Sequence, residues 1–330
     1  MLHSVLATLG LSLALAGPVH AATSSTLAAS SNNSALTSAT LRPPTIAPAN
    51  ERVLASEQTQ VNLRSYGRNA IFSVQSGSSY TLVASTDGGP TKPLNVPAHP
   101  AAIEADIAHG PGGEPTVVFP ACDAVGCEIN LLKLDGSEPQ STGIQVYRGS
   151  QPTLWNKTVA WVGNGRVRTS TRTLYRVPKG VEVLGLELSS HQLAMTVKVP
   201  EGATGACGVR ELWVLKLGAK RPRQIARQIC GLNGQVLSKA SFDSGWLYFS
   251  RHCNTNCGSR YGTYRYRNGR YELAGDSHPL EDWAWGGRDS VYQQRAPNDL
   301  GCSEPSSLCT VVWTNDLKFK PVRPPRSFLE

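Results

Sequence analysis

The feature that most constrains this chain is a unit of short strands that recurs five or six times between residues 51 and 320. In each copy a short apolar strand is followed by a stronger one, a turn, an alternating strand, a glycine-containing turn and a weaker closing strand. The clearest copy runs from Pro115-Thr116-Val117-Val118-Phe119 to Glu128-Ile129-Asn130-Leu131-Leu132-Lys133-Leu134 and the turn Asp135-Gly136. Others read Gln192 to Val197, then Glu211 to Leu217; Trp246 to Ser250, then Gly262 to Tyr266 and Asn268-Gly269; and Ser290 to Gln293, then Thr310 to Trp313. Fainter copies surround Ala70 to Val74 and Thr158 to Val162. Asp-Gly and Asn-Gly between alternating runs mark hairpins.

The first strands of the units are expected near Val61, Ile103, Thr153, Leu184, Val236 and Glu281, the last five at intervals of 50, 31, 52 and 45 residues. Four-stranded units at such a spacing are those of propeller blades, which stack radially and leave few open edges. The reading is an all-β chain folded as a six-bladed β-propeller of four-stranded antiparallel blades. A β-sandwich is the alternative, and it explains the recurring unit less well. Ring closure is expected from the N-terminal side, with residues 51–57 pairing outside the last blade around Thr310 to Leu317. The proline-rich Lys320 to Pro325 can donate few ladder hydrogen bonds there.

Eight cysteines fall in four close pairs, Cys122/Cys127, Cys207/Cys230, Cys253/Cys257 and Cys302/Cys309. Three pairs sit between the second and third strands of their units. The other brackets the Gly218-Ala219 turn, so its members are equidistant from a hairpin tip. Zinc is the competing use of clustered cysteines, but no pair has finger spacing, and an even count behind an export signal favours disulfide-stapled hairpins.

Residues 1–21 read as that signal: an apolar run from Val5 to Gly17, too short to anchor, precedes Val19-His20-Ala21, although Met1-Leu2-His3-Ser4 lacks the usual basic residue. Residues 22–50, rich in Ser, Thr, Ala and Pro, have little to bury and read as a disordered tether. The propeller is assigned to residues 51–320, and 321–330 read as a loose tail. The expected location is secreted or periplasmic. No membrane insertion is expected, nor is an oligomer.

The segments Glu211-Leu212-Trp213-Val214-Leu215-Lys216-Leu217-Gly218 with Arg223-Gln224-Ile225-Ala226, and Ile129 to Gly136, resemble the blade endings of TolB-like six-bladed propellers. The resemblance covers roughly residues 60–320 as a pattern. It lacks the Trp-Ser-Pro-Asp-Gly segment usual before the second strand, so it implies a fold and carries over no functional residue.

No nucleophile elbow, zinc-protease helix, phosphate loop or EF-hand run is present. The five histidines after the signal (His99, His109, His191, His252, His278) are scattered, and no metal site or cofactor is expected. The candidates for ligand binding are acids on the inner strands, which line a propeller's channel: Glu104, Asp106, Glu187, Asp243, Glu281 and Asp282. Trp283 and Trp285 beside the last two could line a sugar-binding mouth. Such carboxylates could hold a cation or serve glycoside chemistry, or simply face channel water.

The formal net charge is +8, with Arg outnumbering Lys by 22 to 10. In Arg166-Val167-Arg168, continuing to Arg172, a strand would put arginines on one face. In Tyr264-Arg265-Tyr266-Arg267, tyrosines would pack between blades and arginines would meet solvent. Basic and aromatic residues on opposite faces argue against nucleic acid. The reading is a non-catalytic exported propeller that binds a protein or an anionic surface polymer. The alternative is an extracellular polysaccharide hydrolase or lyase that uses the channel carboxylates.

Overall fold

The structure is a computed structural model. It describes residues 51–58, 60–200, 209–229, 236–252, 262–275, 280–285, 291–295, 309–314 and 317–324. The chain enters as β1 (Glu51–Gln58). The first blade is β2 (Gln60–Tyr66), β3 (Asn69–Ser76), β4 (Ser79–Thr86) and β5 (Lys92–Pro93). The second is β6 (Asp106–His109), β7 (Pro115–Cys122), β8 (Cys127–Lys133) and β9 (Gln140–Val146). The third is β10 (Thr153–Trp155), β11 (Thr158–Gly163), β12 (Arg166–Arg168) and β13 (Thr173–Arg176). The fourth is β14 (Glu182–Leu188), β15 (Gln192–Val199), β16 (Val209–Lys216) and β17 (Arg223–Ile229).

A wider sheet follows, with β18 (Val236–Leu237), β19 (Ser241–Asp243), β20 (Trp246–His252), β21 (Gly262–Arg267) and β22 (Arg270–Gly275). Then come β23 (Leu280–Trp285), β24 (Val291–Arg295) and β25 (Cys309–Thr314), and finally β26 (Lys320–Val322). All described pairings are antiparallel, and β2, β6, β10, β14, β19 and β23 neighbour one another in a ring. The molecule is an all-β propeller.

The expected count of six four-stranded blades needs correcting: the described strands form five. Five sheets have the expected four strands, whereas the sheet between β18 and β26 has six. Its inner strand is split in two, since β18 and β19 both pair with β20 on either side of Ser238. The Ser238 hydroxyl bridges the break by accepting the Ser250 N–H at 2.8 Å. At the outer edge β26 pairs with β22, Tyr271 opposite Val322. The Lys-Pro-Val segment, read as a poor fourth strand for the final blade, instead covers the edge of its neighbour. An outermost strand needs only one bonded side, and proline is tolerated there.

The last blade takes its outer strand from the start of the domain: β1 pairs with β25, Glu51 opposite Thr314 and Gln58 opposite Cys309. This is the closure expected from the sequence, and it removes an edge that could recruit another chain. Long-range latches support it. The Tyr292 hydroxyl on β24 donates to Arg68 O (2.9 Å) and accepts from Gly88 N–H (3.1 Å), and Arg52 Nη1 donates to Gly88 O at 2.8 Å. Tyr271 ties β22 to β17 through Ile225 O at 2.8 Å.

Tyr264, Tyr266 and Tyr271 are buried with Leu212, Ile225 and Phe249 between two sheets, as their alternation requires. Arg267 is exposed. Arg265 departs from its expected solvent position: its guanidinium lies 4.5 Å from both the Trp246 and Phe319 rings and bonds Glu272 through Nε at 2.6 Å. A guanidinium stacks on aromatic faces at little desolvation cost, so an outward strand position need not be a wet one.

Of the expected disulfides, Cys122–Cys127 joins β7 to β8 with its Cα atoms 4.0 Å apart. The pairings of Cys207 with Cys230, Cys253 with Cys257 and Cys302 with Cys309 fall outside the described residues or side chains.

Candidate functional site at the channel

The inner strands distribute the candidate acids along the channel and do not gather them at one mouth. Glu104 lies just ahead of β6, Asp106 and Glu187 sit within β6 and β14, and Asp243 ends β19. Glu281, Asp282, Trp283 and Trp285 belong to β23, which pairs with β24, and their side chains fall outside the described ones.

Mid-channel, the described acids do not face water. Asp106 and Glu187 are each 2% exposed, and Arg64 from β2 is 4% exposed. Asp106 Oδ2 accepts the Thr153 hydroxyl at 2.7 Å, and Thr153 Oγ1 in turn accepts Leu188 N–H at 3.1 Å. Glu187 Oε1 accepts Phe242 N–H at 3.1 Å. The remaining oxygens, Asp106 Oδ1 and Glu187 Oε2, have no N–H or O–H donor. The two carboxyls act on each other electrostatically, the Asp106 charge disfavouring ionisation of Glu187.

The electrostatics agree with that arrangement. Burial pushes Asp106 up to about 6 against the opposing pull of Arg64, while burial and the Asp106 charge push Glu187 well above the usual carboxylate range. The Arg64 charge opposes the upward shift of both carboxyls. The expectation that channel acids face water fails for Asp106 and Glu187, which are buried together with Arg64 from a third inner strand.

The two ends of the channel differ. Where the inner strands begin, Glu104, Gln151, Glu182 and Lys239 line a cleft of about 560 Å³, and Lys239 Nζ donates to Asn62 Oδ1 at 2.9 Å. Where they end, a smaller cleft of about 260 Å³ is lined by Tyr66, Trp155, Ser189, His191, Asp243 and Arg267, among others. His109 backs this mouth. Its Nδ1 is 2.8 Å from the Tyr66 hydroxyl, its ring stacks on Trp155 at 4.7 Å, and its carbonyl accepts Asn156 N–H at 2.6 Å. Partial burial raises the Tyr66 phenol pKa, with the Asp243 charge adding to it.

Tyr66, His109 and Trp155 were missed in the sequence, where only Asp243 of this group was singled out. The signal was nonetheless present. Each is the last residue of an inner strand, directly before a turn: Gly67-Arg68, Gly110-Pro111 and Asn156-Lys157. Asp243 before Ser244-Gly245 and Trp285 before Gly286-Gly287 hold the same place in their units. Aligning the repeats on those turns would have collected them.

On the outside, Arg166, Arg168, Arg172 and Arg176 are all exposed, with Arg166 directly opposite Arg176 across β12 and β13. None forms an ion pair among the described residues. Arg168 lies 5.6 Å over the Trp161 ring.

No family model matches the chain, and no curated protein matches it. Among solved structures it is similar to the β-propeller domain of the Trilobed protease from Pyrococcus furiosus, at 9% identity over 80% of this chain and 97% of that one, TM-score 0.43. It is also similar to an acylaminoacyl peptidase (9%, 80% and 52%, TM-score 0.45) and to the WD40 domain of Toxoplasma gondii coronin (11%, 80% and 85%, TM-score 0.41). The chain spans about half of that peptidase. At such identity these likenesses concern the fold and nothing finer.

Proposed function

We propose that this protein is an exported, non-catalytic propeller that binds an anionic polymer at the cell surface, and that it acts as a monomer. The observation that carries the reading is the outer ribbon of β12 and β13. Like charges placed directly across a strand pair cost stability, and Arg166 and Arg176 bear that cost with no ion pair among the described residues to relieve it. A polyanion would relieve it, and the net charge of +8 would draw one in. Export is supported by the N-terminal apolar run and the even cysteine count. The finer resemblance to TolB-like propellers rests on blade-ending patterns and adds no ligand.

The alternative, a polysaccharide hydrolase or lyase, needs two carboxyl groups open to a substrate. Asp106 and Glu187 are the pair brought together, and both are buried away from any substrate. This weighs against that alternative.

The test is retention on immobilised polyanionic glycan across a salt gradient, comparing the wild type with an R166S/R172S/R176S variant. The wild type should elute at clearly higher salt, since contacts between exposed charges weaken as ionic strength rises. Equal elution would overturn the ribbon as the binding face. Turnover on a glycan panel that is lost in Asp243 or Glu281 variants would overturn the non-catalytic reading.

A further inference from the structure

We infer that a cleft beside the second blade binds a short extended segment of a partner protein, an aliphatic stretch that carries one lysine or arginine. The cleft measures about 550 Å³ and is lined by the connector from β5 to β6 and by the hairpin tip of β7 and β8. It shares no residue with the arginine ribbon.

Both walls are fixed before a ligand arrives. In the connector, His99 exchanges backbone hydrogen bonds with Tyr80 at 2.7 and 3.0 Å. At the tip, the Cys122–Cys127 bridge joins the strands, and Asp123 Oδ1 accepts the Val125 and Gly126 N–H groups at 2.7 and 2.9 Å. Little ordering is left for binding to impose. The surface held out is aliphatic and open: Pro97, Ala98 and Ala101 are exposed on the connector, and Val125 is 97% exposed at the tip. One exposed apolar residue needs no explanation, but four around one cleft form a surface that a partner's aliphatic side chains can cover.

Charge decides what else the segment carries. Glu104 lines the cleft, and its Oε2 atom is buried with no hydrogen-bond partner. A buried carboxylate oxygen is costly to leave unpaired, and a cationic N–H is its strongest donor. Asp123 and Glu128 line the same cleft. Each has one oxygen engaged, by the tip amides and by the Ser141 hydroxyl, and each adds negative charge. Against these three acids the lining sets one arginine, Arg148, in a chain whose net charge is +8. An anionic or uncharged segment would leave Glu104 unpaired, and a bare amine would leave the aliphatic walls uncovered.

The test uses intact protein and pentapeptides blocked at both ends: Ala-Val-Lys-Val-Ala, its arginine analogue, and a norleucine analogue that keeps the lysine stem without the charge. Calorimetry should show saturable binding of at least one charged peptide, with norleucine about tenfold weaker. In valine-labelled protein the Val125 methyl signals, assigned with V125A, should move on titration. E104Q should weaken the charged peptides about tenfold and leave norleucine within about twofold, so that the preference for charge disappears. V125S should weaken all three about threefold, and at its exposed tip it tests the cleft even if E104Q does not fold. The R166S/R172S/R176S variant should bind the peptides like the wild type, and E104Q should keep its polyanion retention, so the two sites fail separately. Absence of saturable binding by both charged peptides at about 5 mM would overturn the inference. So would Val125 signals that stay still at saturation, or an undiminished preference for charge in E104Q. Affinity for n-butylammonium equal to that for the lysine peptide would overturn it too, since the cleft would then take an amine and not a segment.

Discussion

Asp106 and Asp243 lie on inner strands of the same ring, one at the head of β6 and one at the foot of β19, and the fold treats them oppositely. Asp106 is sealed, with one oxygen on Thr153 and the other facing Glu187. Asp243 is half-buried at a mouth, beside a serine hydroxyl at 3.1 Å and within a cleft. Depth along the channel thus decides what an inner-strand acid does. In the middle, side chains from several blades are close enough to answer one another, and the acids become structure. At the ends the strands run into turns, and Asp243 there is half-buried and lines a cleft.

The sharpest way to break this contrast is to remove one member of the buried pair. Glu187→Ala removes the acceptor of Phe242 N–H and leaves a cavity beside the buried Asp106 and Arg64, losses that together cost about 3–5 kcal/mol. Denaturant unfolding should show this as a large drop in midpoint, while Asp243→Ala should stay within about 1 kcal/mol of the wild type. Equal losses at the two positions would dissolve the distinction.

The second test concerns pH. A carboxyl whose pKa is raised on folding binds its proton more tightly in the native state, so its contribution to stability is complete at low pH and is lost as pH rises through the native value. For Asp106 the loss runs from its ordinary 3.8 to about 6; for Glu187 it begins at its ordinary 4.5 and continues well above. Glu187→Gln is uncharged like the protonated form and keeps an oxygen to accept Phe242 N–H. The variant should match the wild type near pH 4 and gain on it by up to about 1.4 kcal/mol per pH unit above that. Melting curves of the two proteins from pH 4 to 8 measure the gap. A constant gap would mean that neither burial nor the Asp106 charge raises the Glu187 pKa.

The same contrast explains what the sequence could and could not reveal. Blade starts were legible because they follow from alternation and turn residues: Thr153 and Val236 begin strands as expected, and β2, β6, β14 and β23 begin within three residues of their expected starts. The swap of β1 onto the last blade was legible for a related reason, since an unpaired edge and an orphan apolar segment call for each other. Partnerships across the channel were not. Arg64, Asp106, Thr153 and Glu187 come from four blades, and no local period links them. The β26 pairing was missed because proline was weighed against ladder bonding in general, while an outermost strand needs few donors. His109 looked isolated for the same reason as Arg64: its partners Tyr66 and Trp155 are 43 and 46 positions away.

A smaller effect probes the mouth. Tyr66→Phe removes the hydrogen bond to His109 but keeps the ring, so stability should fall by about 0.5–1.5 kcal/mol. The His109–Trp155 stack should persist, because it does not depend on the phenol. NMR of the Trp155 indole in the variant checks this, and a large shift of that resonance would show that Tyr66 holds the mouth together as firmly as Glu187 holds the channel.

The smallest expected effect is the most discriminating. Asp243→Asn keeps the shape of the side chain and removes its charge, so folding stability should change by no more than about 0.5 kcal/mol, as for a partly exposed residue at a strand end. The Tyr66 phenol should nevertheless respond. Its pKa is raised first by burial and second by the Asp243 charge, so removing the charge should bring it down part of the way and leave the burial contribution in place. Titration of ring-labelled tyrosine by carbon NMR, with Tyr66→Phe to assign the resonance, reads that shift directly. A phenol that stays where it was would show that the Asp243 charge does not reach the aromatic wall of the cleft, and that burial alone raises the Tyr66 pKa.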